Sequence, residues 1–175
     1  MAMVGLFWIV EGDVYVGAKP SGPGPGVRLT PEGVTALGDG REDLLPWADV
    51  TSLTVSDVPV RTLPRRIGAA VGLALQTMRE MALPNGHGRV AEAPGLMTVR
   101  VTTAGGAHAL EAYVAAAGGY PATEADLSRA LLARLADGSG ATATTLAAMA
   151  RWGRAAADGT PRGGERERLL REWLG

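Results

Sequence analysis

The chain contains no cysteine. Disulfide frameworks, thiolate metal sites and thiol nucleophiles are therefore excluded, and a reducing, cytoplasmic setting is the expectation. Lysine occurs once, at Lys19, against sixteen arginines, a bias that fits a high-GC genome and says nothing of mechanism. Long apolar runs are missing as well. Two long uncharged stretches, residues 3–10 and 67–78, fall well short of the roughly 20 residues that span a bilayer. The first of them lacks a basic leader and runs straight into Glu11-Gly12-Asp13, so it reads as a strand and not as a signal peptide. None of the H-E-x-x-H, G-x-S-x-G or P-loop patterns occurs, and no cofactor is implied.

Of the 175 residues, 46% are hydrophobic and 20% charged, a composition that folds without a partner. Residues 1–60 carry three basic and eight acidic groups, a net of −5, and the remainder fourteen and ten, a net of +4. The basic residues of the second part alternate with glutamate and build no cationic face. Nucleic acid is therefore not expected as a partner.

Strand signals dominate the first sixty residues. Residues 3–10 and 14–18 flank Glu11-Gly12-Asp13 as one hairpin, and residues 27–30 and 34–37 flank Pro31-Glu32-Gly33 as a second. Between them, the Pro/Gly alternation of residues 19–26 forbids helix and ladder alike. It is no phosphate loop, because proline removes donors and a strand follows where a helix would be needed. Asp39-Gly40 opens another turn, residues 44–47 form a short strand, and residues 50–55 alternate as a half-buried strand does.

After Thr62 the period changes. Ile67, Val71, Ala74, Met78 and Met81 recur every three or four residues, which predicts an amphipathic helix over about 64–82. Strands resume at residues 97–102 and 107–114. Thr123 followed by Asp126 suggests a capping box for a helix over 123–137, with Leu127, Leu131 and Leu135 on one face and Gly138 as its stop. Two more helices are expected, at 141–157 and 165–174. The last has an apolar stripe of Leu169, Leu170, Trp173 and Leu174, and i,i+4 pairs Glu167/Arg171 and Arg168/Glu172.

The meander ending in Trp47-Ala48-Asp49-Val50-Thr51-Ser52-Leu53, the hairpin of residues 99–114 and the helix of residues 124–135 resemble the pleckstrin-homology-like domains of high-GC actinobacteria. The resemblance covers roughly residues 3–137. It implies an α+β fold: a bent antiparallel barrel of about seven strands capped by a helix, here as domain 1–138 with the helix at about 64–82 inserted, followed by a helical appendage, 139–175. Eukaryotic members of that fold often bind phosphoinositides through basic residues in the first hairpin loop. This chain has Glu11 and Asp13 there, so that role is not carried over.

Without catalytic signatures, the residues point to a protein-interaction or scaffold module, the alternative being a small-ligand or lipid-binding barrel touching a membrane at most peripherally. Arg65, Arg66, Gly68 and Gly72 on the inserted helix, and Trp152, Leu169 and Trp173 in the tail, are the candidate interface residues for self-association or a protein partner. The same side chains would serve equally for packing on the domain itself. An enzyme would require Asp39, Asp43, His87 and His108 to converge in one cleft.

Overall fold

The computed structural model describes residues 1–61, 95–138, 140–156 and 159–175. The inserted helix expected at 64–82 lies outside the described residues. Nine strands and three helices make up the rest, an α+β fold. Strands β1 (Ala2–Val4), β2 (Phe7–Val10), β3 (Asp13–Val16), β4 (Gly26–Leu29), β5 (Gly33–Gly38) and β6 (Arg41–Pro46) form a six-stranded antiparallel meander. Strands β7 (Val50–Ser56), β8 (Leu96–Thr103) and β9 (Gly106–Tyr113) form a separate antiparallel sheet. Helices α1 (Ala122–Leu135), α2 (Thr142–Ala155) and α3 (Gly163–Leu174) follow.

Three expectations are corrected. The two sheets do not close into a barrel of about seven strands. The apolar run of residues 3–10 is not one strand but two, paired Val4 to Phe7 across Gly5-Leu6. Gly5, at φ +57°, occupies the first position of that two-residue loop, the arrangement of a II′ turn. A Cβ there would also lie 2.2 Å from Ser128 Oγ, so glycine is required twice over. Finally, no capping box forms. Pro121 is the N-cap of α1 without a side-chain bond, which places Thr123 already inside the helix, and Asp126 instead pairs with Arg129 at 3.0 Å.

The dipeptides Glu11-Gly12 and Asp39-Gly40 make two-residue turns with positive φ at both positions, which matches the right-handed twist of the flanking strands. Period-two alternation then gives the large sheet two different faces. Val4, Phe7, Ile9, Val14, Val16, Val27, Leu29 and Val34 point inward and are buried. The opposite face carries Trp8, Tyr15, Arg28, Thr35 and Leu44 in one cross-strand row.

The inner face is covered in two parts. Met97, Val99 and Val101 of β8 and Ala112 of β9 join the same core as the inner residues of the large sheet. Helix α2 lies against β2 and β3, and α3 against β1 and α1. The tail is thus folded onto the sheet: Leu146, Met149, Leu169, Leu170 and Trp173 are buried in the common core. Trp152 meets Trp173 edge to face at 5.7 Å. The tail also reaches the β1 edge of the meander, where the Met3 amide donates to Thr160 Oγ1 at 3.1 Å.

Polar groups inside this core are paired. Leu6 N–H donates to Ser128 Oγ, which donates in turn to the Glu124 carbonyl. The Glu124 carboxylate, 2% exposed, receives both Nε and Nη2 of Arg166 at 2.8 Å. Tyr120, fully buried, accepts the Ala115 N–H at its hydroxyl.

Burial raises the Tyr120 phenol above its ordinary pKa of 10.0, backbone hydrogen bonds offsetting part of the shift. Below about pH 10 the group is neutral in folded and unfolded chains alike and its contribution is complete. As pH rises past that point the unfolded chain ionises first, and stability falls. Urea midpoints measured from about pH 8 to 11 are expected to decline through the alkaline range, and the Tyr120→Phe variant to decline less steeply. Equal slopes would place the titration elsewhere.

Candidate functional site

The two sheets approach at one corner, where the Ala18 N–H donates to the Tyr113 carbonyl at 2.8 Å. The link between β6 and β7 is held by Trp47, whose indole N–H donates to the Thr30 carbonyl at 2.7 Å. Trp47 of the Trp-x-Asp-Val motif therefore has a structural task.

Beyond that corner no ladder among the described residues joins β9 to the large sheet. An open cleft of about 500 Å³ separates the β9 edge from the distal ends of β4, β5 and β6. Its floor includes Ala36, Gly38 and Leu110, and its rim Asp39, Arg41, Asp43 and Glu111.

The register of the β8–β9 hairpin decides what β9 presents to the cleft. Thr103 pairs with Gly106 across a two-residue turn, and pairing continues without a bulge to Leu96 and Tyr113. In such a ladder the backbone groups of alternate residues point toward and away from the partner strand. Tyr113, whose carbonyl bonds Ala18, fixes the phase. Ala107, Ala109 and Glu111 accordingly direct N–H and C=O away from β8. Among the described residues no hydrogen bond to these groups is present.

The edge across the cleft differs. Strand β6 carries Arg41, Glu42 and Asp43 and ends in Pro46, features that blunt an edge against pairing. Strand β9 has eight residues, no proline and a single carboxylate, Glu111. Among the described residues it is the unprotected edge of the pair.

The rim is unbalanced, with three acids and one arginine. None of the four takes part in an ion pair among the described residues. The groups are exposed and spread over a turn and two strands, and no trio of His, Asp or Glu among the described residues could hold a metal ion.

The residues named from sequence are distributed as follows. Asp39 and Asp43 share this cleft; His108 is exposed on β9 but does not line it. His87, Arg65, Arg66, Gly68 and Gly72 lie outside the described residues. Leu169 and Trp173 are 3% and 6% exposed in the core, and Trp152 is half-buried against Trp173, so this trio packs within the chain. The β9 edge itself was not among the candidates. Its signal in the sequence is the low charge of residues 106–113, which alternation alone does not mark as an edge.

Among the described residues, no helix is long and apolar enough to cross a membrane. Comparison with known proteins finds no matching family model, no similar curated protein and no similar solved structure.

Proposed function

We propose that the chain is a non-catalytic protein-interaction module, built on a pleckstrin-homology-like scaffold and working inside the cell. The element order is what supports the scaffold: past the β1–β2 hairpin, strands β3 to β6 and β7 to β9 make seven antiparallel strands followed by α1. The β1–β2 hairpin and the helices α2 and α3 are additions that pack on one another. The single observation that carries the interaction reading is the unprotected, eight-residue edge of β9 opening onto a cleft. Strand edges of this kind accept an extended chain through main-chain hydrogen bonds.

A ligand-binding barrel has less support, because the space between the sheets is filled by side chains such as Phe7, Val16, Val27 and Val99, each at 0% exposure. Such a barrel needs an apolar cavity there.

A photo-crosslinking residue placed at Leu110 tests the reading. It is expected to capture polypeptide in lysate of the producing cells, while the same residue at Thr144, exposed on α2, does not. Capture should disappear in the Ala109→Pro background, since proline deletes an outward N–H without touching the β8 ladder. Equal capture at both positions, or none, refutes the proposal.

A further inference from the structure

Resting on the interaction reading, we infer that the cleft takes a cationic, extended peptide segment that adds to β9 as a fourth strand of the small sheet. Main-chain geometry supplies the first argument. Ala109 and Glu111 line the cleft, and their backbone donors and acceptors point into it. An added strand sits about 4.8 Å away, with its side chains alternating between the two faces of the sheet. On one face they pass Leu110, Ala36, Gly38 and Asp43; on the other they pass Thr98 and Glu111.

Charge supplies the second argument, and it selects the occupant. Among the described residues that line the cleft, Asp39, Asp43 and Glu111 face a single cation, Arg41, and none of the four is in an ion pair. Lysine or arginine on an incoming strand meets these carboxylates, and an acidic strand is repelled. A second copy docking edge to edge would bring the same acids to the same place, so self-pairing is opposed by like charge. Small residues on the floor, Ala36 and Gly38, leave room for β-branched side chains between the cations.

The experiment uses the full chain, uniformly labelled with nitrogen-15, and three blocked heptapeptides in which valine alternates with lysine, glutamine or glutamate. Amide exchange is followed at Ala107, Ala109 and Glu111. The lysine peptide is expected to slow exchange at Ala109 and Glu111 at least tenfold, with affinity falling as salt is raised. The glutamate peptide should give no protection. The triple variant Asp39→Asn, Asp43→Asn, Glu111→Gln should bind the lysine peptide roughly five to tenfold more weakly, as expected for exposed pairs, while its melting temperature stays near that of the parent.

Equal protection by all three peptides overturns the cationic assignment and leaves strand addition standing. Lysine-peptide binding without protection of these amides overturns strand addition and reduces the interaction to diffuse charge. If no peptide protects them, the interaction reading at this edge fails too. Protection that grows with protein concentration alone makes a second copy the occupant and overturns the inference.

Discussion

A chain ending at Gly138 is expected not to form a stable monomer. The helices removed bring Leu146, Met149, Leu169, Leu170 and Trp173 into the core, all but Trp173 at 3% exposure or less and Trp173 at 6%. Each such side chain is worth about 1.5–3 kcal/mol when buried. Five of them rival the whole net stability of a typical domain, about 5–15 kcal/mol. The deletion would also uncover the inner faces of β1 and β2, where Val4 and Ile9 have no exposure in the intact chain. Light scattering after size exclusion should show aggregate or an expanded chain with weak near-ultraviolet dichroism. A truncated monomer that melts at the parental temperature would make the tail a true appendage and sink this account.

The second large effect is expected at Glu124. Its carboxylate is almost entirely withdrawn from water, and the Arg166 guanidinium grips both oxygens at 2.8 Å while donating to the Pro161 carbonyl at 2.7 Å. Two parallel bonds suit the planar fork of arginine and would not be matched by lysine. Removing one partner leaves the other buried without its countercharge. Glu124→Ala should therefore lose about 3–5 kcal/mol, whereas Glu124→Leu combined with Arg166→Met should lose far less. For a chain of this size the single substitution corresponds to a melting temperature lower by roughly 10 °C. Thermal denaturation of both variants checks the pair. Single and double variants with equal losses would show that the ionic contact itself is net stabilising and that the orphaned charge adds nothing.

Much of the strand order can be read from residues alone, because the turns announce themselves chemically. Glu11-Gly12 and Asp39-Gly40 have positive φ at both positions, a conformation that Asp and Gly adopt readily and that Glu11 takes beside a glycine. The alternation of residues 50–55 places Val50, Leu53 and Val55 inside, with a bulge between Val50 and Ser52 restoring the phase.

The turn at Gly5-Leu6 escapes notice for a physical reason. In both flanking strands every side chain is buried or partly buried, Leu6 in the turn is buried as well, and no polar residue interrupts the run. The polar half of β6 hides in the opposite way: an edge strand facing water on both sides at residues 41–43 shows no alternation to recognise.

An amphipathic stripe shows that a helix needs a surface without naming the surface. Leu169 and Trp173 met the inner core, and Glu124 found its partner 42 residues along the chain. The cleft was beyond the strand pattern altogether, since it arises from how two sheets fail to meet rather than from any one strand.

The contact of β1 with α3 and the bond from Met3 to Thr160 join parts of the chain 157 residues apart. On the ribosome, where about 5–20 residues are added each second, the first hairpin must therefore wait on the order of ten to thirty seconds for its cover. Throughout that interval an apolar sheet face and an unpaired strand stand open to neighbours. The vulnerable state of this protein is thus the nascent chain: slower elongation over the codons of residues 136–175 should lower its soluble yield, and a holding chaperone should act on its first hairpin.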